Sequence, residues 1–236
     1  MERIVRAAAR NQASWMASVA RVQGGGVHRV GPLRVVEHGG DATVLFPWRA
    51  SGASFDALLD WGRARDVRRI GVWATGLAPV DGLRARLVAR GFEEGWRPHW
   101  MSIEASKLPI ATEDQRVATV EAVPEYDAYG QALLGLAREP RFWHAAARLD
   151  GVYAGHAWSH RVGECAGVYD VDVRPRFRRR GLGTALTLAA IRAAQAPLVV
   201  LNATGAGEAL YRALGFRSAG FGWTWWWEGR AGGAQP

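Results

Sequence analysis

The chain has 236 residues, of which 49% are hydrophobic, and a formal net charge of +8 at pH 7. These values exclude a disordered polypeptide and allow one large domain or two small ones, each with its own core. The basic balance favours an anionic partner, which a nucleic acid, a membrane surface or a phosphorylated cofactor would each satisfy. The single cysteine, Cys165, excludes an internal disulfide and favours a reducing, cytoplasmic location.

Hydrophobic periodicity divides the first part of the chain into alternating helices and strands. Helices are predicted over 2–20, 54–66 and 80–91, and strand-like segments over 26–38, 42–48, 68–75 and 92–104. The polar, proline-containing stretch 105–115 is predicted to be a linker. The first domain is therefore expected to cover 1–104.

The second domain is predicted over 116–228. Its expected elements are a strand at 116–123, a helix at 124–139, three strands within 141–173, a helix at 181–195, a strand at 197–204, a helix at 207–215 and a last strand at 221–227. Residues 229–236 are predicted to be a disordered tail. This order of elements predicts an α/β (α+β) fold in which mixed sheets are flanked by helices.

Neither a metal site nor a membrane span is expected. The histidines lack the spacing of metal ligands, since His156 and His160 lie four residues apart on a predicted strand rather than on a helix. No run of apolar residues approaches the roughly 18 that a membrane-spanning helix needs.

An internal repeat relates the two halves. When residues 49–76 are shifted by 129 positions, Arg49 pairs with Arg178, Gly52 pairs with Gly181, and the sequence Ala-Thr-Gly recurs. This similarity predicts a tandem duplication of one module.

The sequence "RFRRRGLGTAL", residues 176–186, is typical of a loop that holds phosphate. It lies between a predicted buried strand and a predicted apolar helix. Gly181 and Gly183 lack side chains that would keep a phosphate from the backbone N–H groups, and the start of the helix directs further N–H groups to the same place. Three arginines, Arg178, Arg179 and Arg180, add charge and forked donors. The alternative is a solvated basic turn, or a surface for nucleic-acid phosphates.

The pattern R-x-x-G-x-G, between a strand ending in V-x-P and an Ala/Leu-rich helix, resembles the acyl-CoA site of the GNAT superfamily of N-acyltransferases. "ALYRALGF", residues 209–216, resembles the second signature of that superfamily. The two motifs cover about residues 165–220, and weaker resemblance extends back to about 116. The first half is similar to a second GNAT module with a decayed motif.

The resemblance implies a sheet whose fourth and fifth strands splay apart, with acetyl-CoA in the gap and no metal. It places Tyr211 as the proton donor to the leaving thiolate. It also implies a set of cofactor-binding residues: Val171, Asp172 and Val173 on the fourth strand, Arg178, Arg179, Arg180, Gly181, Leu182, Gly183 and Thr184 in the phosphate loop, and Asn202 and Thr204 on the fifth strand. Thr204 replaces the asparagine that is frequent in the superfamily.

Three side chains on the fourth strand have open roles. Tyr169 shares strand parity with Val171 and Val173, so we expect it to face the cofactor groove, where it orients the amine or a deprotonating water, or serves in packing. Asp170 is a candidate base or a salt-bridge member, and for Asp172 the salt bridge is favoured, since buried carboxylates need partners.

The first half has lost the corresponding chemistry. Trp73 stands where the second half has Asn202, Leu87 falls at the tyrosine position, and Ser54 replaces Gly183. We therefore expect this half to bind no cofactor and to serve as scaffold or acceptor wall. The tryptophans of "GWTWWW", near 222–227, are expected to be core residues or such a wall.

These observations predict an enzyme that transfers an acetyl group from acetyl-CoA to a primary amine of a small molecule in a ternary complex. The basic composition favours an acceptor of apolar or anionic character over a cationic one. The alternatives are a CoA-binding sensor without turnover and acetylation of a protein N-terminus or lysine. Neither nucleic acid nor a membrane is the expected partner, and the protein is expected to be a monomer or a homodimer.

Overall fold

The computed structural model describes residues 1–47, 49–76, 80–110 and 113–229. Several predicted segments therefore extend outside the described residues: the end of the strand at 42–48, positions 111–112 of the linker, and nearly all of the tail at 229–236.

The described residues form six helices and twelve strands. The helices are α1 Glu2–Val22, α2 Gly52–Arg63, α3 Val80–Val88, α4 Ala128–Leu134, α5 Leu182–Ala194 and α6 Gly205–Ala213. The strands are β1 Gly26–Val30, β2 Leu33–His38, β3 Asp41–Leu45, β4 Arg69–Thr75, β5 Glu93–Glu94, β6 His99–Glu104, β7 Val117–Thr119, β8 Phe142–Leu149, β9 Val152–Val162, β10 Cys165–Val173, β11 Leu198–Ala203 and β12 Arg217–Glu228.

The chain divides into two compact units. Unit 1 comprises Met1–Trp15 and His99–Gly220, and unit 2 comprises Met16–Pro98 together with the residues from Phe221 onward. This division differs from the predicted domains, because β6 pairs with β11 and so lies in unit 1. The start of the predicted linker also packs in unit 1, where the Ala105 N–H donates to the Pro197 carbonyl over 2.9 Å.

Unit 2 contains a mixed sheet with α2 and α3. Strand β2 is antiparallel to both β1 and β3, β3 is parallel to β4, and β4 is antiparallel to β12. The fully buried side chains of its core include Phe55, Leu58, Ile70, Leu87 and Trp225. Trp225 is therefore a core residue of this unit, which was one of the two roles predicted for the tryptophans near 222–227.

Unit 1 contains a second mixed sheet, in the order β6-β11-β10-β9-β8-β7. Strands β10 and β11 are parallel, and the other neighbouring pairs are antiparallel. Helix α5 carries an apolar stripe, Leu182, Leu186 and Ala190, which packs against small side chains such as Ala145 and Ala157. Because the side chains of a strand alternate, Trp158 of β9 faces the opposite side of the sheet, where it contacts Trp15 of α1.

Both units contain the same order of strand, strand, helix, strand and helix. In each, the first two strands are antiparallel, and the third is parallel to the second: β2, β3 and β4 in unit 2, and β9, β10 and β11 in unit 1. The predicted α/β fold class, with two modules each built on a mixed sheet flanked by helices, is confirmed.

Candidate functional site

Strands β10 and β11 pair for only part of their length. Residues Cys165–Val168 pair with Leu198–Leu201, and the remaining residues of β10, Tyr169–Val173, pair with β9 alone. The two parallel strands therefore separate after Val168, as the resemblance implied. Backbone groups of β10 that face this gap have no strand partner within the described part of the chain.

A β-bulge in β10 lies at the start of the gap. Tyr169 pairs with Trp158 and Asp172 with His156, so three steps on β10 oppose two on β9, and Asp170 adopts a φ of 49°. The extra residue reverses the alternation of side chains. Tyr169 therefore faces away from Val171 and Val173, which pack on the α5 side of the sheet. The parity prediction for Tyr169 was wrong for this reason.

Tyr169 is held by α1. Its ring stacks on Trp15 with centroids 4.5 Å apart, and its hydroxyl donates to Asn11 Oδ1 over 2.6 Å. Asn11 in turn donates to the carbonyls of His160 and Cys165, each over 3.0 Å. Burial raises the pKa of the Tyr169 phenol well above its usual value, so the group stays neutral. These contacts favour the packing role for Tyr169.

The predicted phosphate loop leads into the uncapped start of α5. Gly181 is the N-cap with a φ of 79°, Arg179 has a φ of 62°, and no side chain caps the helix. The first N–H groups of α5 therefore lack intrahelical acceptors and a side-chain cap. Arg179 and Arg180 are exposed beside them. An anion is favoured at this point by the helix dipole and the adjacent guanidinium groups.

The rest of the loop is fixed by packing. Leu182 is buried in the core, and Thr184 is half-buried in the first turn of α5. A Cβ at Gly183 would lie 2.9 Å from Leu210 Cδ1 of α6, so this glycine lets the two helices approach closely. Arg178 Nε donates to the Val173 carbonyl over 2.8 Å, which ties the loop to the end of β10.

The fifth strand supplies a buried side-chain amide oxygen. Asn202 follows Leu201, the last residue of β11 that pairs with β10, and its Oδ1 is buried with no hydrogen-bond partner among the described residues. Thr204 caps α6, since its hydroxyl oxygen accepts from the Gly207 N–H over 3.2 Å. The Asn202 oxygen therefore has the capacity to accept a hydrogen bond, whereas the Thr204 hydroxyl already caps α6. The gap between β10 and β11 and the uncapped helix start fit the pantetheine arm and the pyrophosphate of coenzyme A.

Tyr211 lies on α6 with 8% of its surface exposed. Its ring packs against Phe216, with centroids 5.9 Å apart, and a Cβ at Gly207 would lie 3.0 Å from its Cε2. Burial raises the pKa of its phenol, which keeps the proton on the oxygen at neutral pH. A proton donor to a thiolate needs that state.

The two carboxylates of β10 are about half exposed, rather than buried as expected. Asp172 has Arg178 at 3.9 Å, the predicted salt bridge, which is weak at this exposure. Asp170 Oδ2 lies 3.0 Å from His156 Nε2. From the sequence, His156 was a candidate only as a metal ligand, so this pair was not predicted.

Asp170 and His156 line a cavity of about 380 Å³ in unit 1, here called the acidic pocket. Its other charged lining residues are Glu125, Asp127, Asp172 and Arg174. Arg148 pairs with Glu125 over 2.7 Å and lowers the pKa of that carboxyl. Carboxylates therefore outnumber cations in this pocket, although the whole chain is basic.

The corresponding features of unit 2 are closed. Helix α2 begins with a capping box in which Ser51 and Ser54 bond reciprocally to each other's backbone N–H. Strand β3 pairs with β4 along its whole length, and Phe46 continues the pairing by donating to the Trp73 carbonyl over 2.8 Å. Among the described residues of unit 2, the start of α2 is therefore capped and no gap opens between β3 and β4.

Among the residues that the structure describes, no group of three or more His, Cys, Asp or Glu side chains could hold a metal ion, and no helix is long and apolar enough to cross a membrane.

Comparison with known protein families identifies the family of this chain. The model of the acetyltransferase (GNAT) family matches residues 99–216, nearly the extent of the second segment of unit 1. The chain belongs to the GNAT family of acetyltransferases. Members of this family transfer an acyl group from acetyl-CoA, and the match supports acyltransferase activity here.

Solved structures show the same fold. A GCN5-related N-acetyltransferase from Kribbella flavida is 20% identical with a TM-score of 0.68, and the match covers 94% of each chain. A tandem GNAT protein from the clavulanic acid biosynthesis pathway is 20% identical with a TM-score of 0.59, over 86% of this chain and 79% of that one. A putative GNAT acetyltransferase from Novosphingobium aromaticivorans is 19% identical with a TM-score of 0.55, over 91% and 96%. No curated protein matches the chain.

Proposed function

We propose that this protein transfers the acetyl group of acetyl-CoA to a primary amine of a small molecule, by direct attack in a ternary complex, using unit 1. The observation that carries the proposal is the combination of the gap between β10 and β11 with the uncapped start of α5. The first offers unpaired backbone groups for the pantetheine arm, and the second offers N–H groups for the pyrophosphate.

Acetyl-CoA supplies the activated acyl group. The side chains of unit 1 then have separate tasks: Asn202 binds the cofactor arm, and Arg179 and Arg180 hold the phosphates by charge. Tyr211 keeps a proton at neutral pH and gives it to the leaving sulfur, which leaves more easily as a thiol. Direct attack requires no nucleophilic side chain, and Cys165 is unsuited to that role because burial raises the pKa of its thiol to about 12.

Unit 2 is proposed to bind no cofactor. Its closed helix start and its fully paired parallel strands support this. The cytoplasmic location and the monomeric or homodimeric state stay predictions.

The test combines binding with turnover. Calorimetry with acetyl-CoA is expected to give saturable binding, and mass spectrometry is expected to show an acetylated amine in a panel of spermidine, tyramine, glycine and glutamate. Thiol release measured in parallel gives the rate. Binding without acetylation of any amine would favour the sensor. No binding, together with affinity for a DNA duplex that falls steeply with salt, would assign the arginines to nucleic acid.

A further inference from the structure

Four hydrogen bonds link five side chains along the wall of the acidic pocket. Asp170 Oδ2 lies 3.0 Å from His156 Nε2, and His156 Nδ1 lies 2.6 Å from the Tyr153 hydroxyl. The Tyr153 hydroxyl donates to the Tyr126 hydroxyl over 3.1 Å, which lies 2.8 Å from His144 Nε2. This series of hydrogen bonds extends from the half-exposed Asp170 to the fully buried His144.

The number of available hydrogen-bond donors shows which protonation state of His156 this series of hydrogen bonds stabilises. Burial lowers the pKa of His144 to about 4, so its ring is neutral and its Nε2 can accept from Tyr126. Burial likewise raises the pKa values of Tyr126 and Tyr153, so each phenol keeps its single hydrogen. Tyr153 uses that hydrogen toward Tyr126, so the bond at His156 Nδ1 has to be donated by the imidazole.

The same ring faces a carboxylate with its other nitrogen. When both nitrogens of His156 carry hydrogen, each of the four hydrogen bonds has one donor and one acceptor, and the carboxylate of Asp170 balances the charge of the imidazolium. When His156 loses its Nδ1 proton, the donors can shift along the series: Tyr153 turns its hydroxyl toward Nδ1, Tyr126 donates to Tyr153, and the neutral His144 ring donates from Nε2 in its other tautomer. The pair therefore has two satisfied states that differ by one proton, which is what a general base requires.

An amine acceptor needs such a group. An alkylammonium with a pKa near that of lysine is only about 0.04% free amine at pH 7. The acidic pocket offers carboxylates to the cation, and the side chain of Asp170 is about half exposed while its Oδ2 lies 3.0 Å from His156 Nε2. Asp170 also sits in the bulge where β10 leaves β11, at the opening of the gap.

We propose that Asp170 and His156 together accept the proton of a cationic primary amine bound in the acidic pocket. This inference rests on the proposed function. One N–H bond of the ammonium breaks, its proton passes to the pair and then to solvent, and the electron pair stays on nitrogen for the new C–N bond. The C–S bond breaks, Tyr211 protonates the thiolate, and a second proton from the nitrogen restores Tyr211.

The test uses Asp170→Asn and His156→Gln in the full chain. Asparagine is the same size as aspartate and tolerates the positive φ at this position, so the first variant is expected to fold. His160→Gln is the matched control, since His160 is a buried histidine of the same strand that also makes two hydrogen bonds, to Arg141 O and Ser14 Oγ, outside the pocket.

We measure kcat/KM from about pH 6.5 to 9.5 with whichever of spermidine and tyramine reacts faster. Both pocket variants are expected to lose about 100-fold at pH 7, a loss that shrinks at high pH because free amine accumulates there. Their affinity for acetyl-CoA is expected to stay unchanged. The groups that face His156 are Asp170, Asp172, Arg174, Tyr153, Tyr126 and His144, and all except the substituted one are retained.

If the loss of kcat/KM in Asp170→Asn and His156→Gln is constant with pH, or if His160→Gln shows the same pH profile, Asp170 and His156 have a structural role and the proposal is overturned. Faster acetylation of glutamate than of either cationic amine by the wild-type protein would also overturn it. If the wild-type protein acetylates no amine in the panel, the proposed function fails instead, and the two failures are thereby distinguished.

Discussion

The uncapped start of α5 predicts that one substitution will raise the stability of the free protein and weaken its binding of acetyl-CoA. Thr184 is the third residue of the helix after the N-cap Gly181, and no side chain caps this end. A carboxylate in the first turn of a helix stabilises it by about 0.3–1 kcal/mol. Thr184→Glu is therefore expected to raise the unfolding free energy of the free protein slightly.

The same charge opposes the cofactor. A unit charge about 6 Å from the carboxylate is repelled by roughly 0.7 kcal/mol at the dielectric constant of water and by roughly 3 kcal/mol at the value near a protein surface. A pyrophosphate carries two such charges. Two charges double the limits to about 1.4 and 6 kcal/mol, and the expected loss lies between them, at about 3 kcal/mol, or about 150-fold in the dissociation constant.

Calorimetry with acetyl-CoA measures this loss, and thermal unfolding without ligand measures the stability. Thr184→Gln is the control, because it adds the same bulk without charge and is expected to retain most of the affinity. If Thr184→Glu binds acetyl-CoA as tightly as Thr184→Gln does, the phosphates do not lie at the start of α5 and the reasoning is refuted.

Three other substitutions test separate parts of the account. Tyr211→Phe is expected to keep acetyl-CoA affinity and to lower kcat about 100-fold, as steady-state kinetics will show. Asn11→Ala removes the acceptor of the Tyr169 hydroxyl and the donor to two carbonyls, and is expected to lower the unfolding free energy by about 3 kcal/mol in chemical denaturation. Ser51→Ala opens the capping box of α2, costs about 1 kcal/mol by the same assay, and leaves acetyl transfer unchanged.

Each of these three predictions has a result that would contradict it. Unchanged turnover in Tyr211→Phe removes Tyr211 as the acid. An Asn11→Ala variant as stable as the wild type would show that Tyr169 is not fixed by α1. Weaker acetyl-CoA binding in Ser51→Ala would place part of the cofactor site in unit 2.

The sequence was sufficient for the parts of the site that depend on local pattern. The glycine at the N-cap and the apolar residues of α5 follow one another at short, regular spacings, whereas the tyrosine on α6 was assigned through the resemblance. These spacings predicted the helix at 181–195, observed at Leu182–Ala194, and the loop before it. The separation of β10 from β11 could be predicted only from the resemblance to the GNAT superfamily.

Features that depend on one inserted residue or on distant contacts were not accessible. The bulge at Asp170 changes the direction of Tyr169, although nothing in the composition of β10 marks it. The pair of Asp170 with His156 joins residues on two strands, and its continuation to Tyr126 comes from a third segment. The acidic pocket was not accessible from composition either, because net charge describes the whole surface and says nothing of one cavity.

The central claim is that unit 1 alone holds acetyl-CoA, between β10 and β11 and at the start of α5. Its most direct test is the stoichiometry of acetyl-CoA binding, measured by calorimetry on the wild-type chain and on Thr184→Glu. The account predicts one equivalent per chain in the wild type and a loss of that site in the variant. Two equivalents, or one equivalent that Thr184→Glu leaves intact, would contradict it.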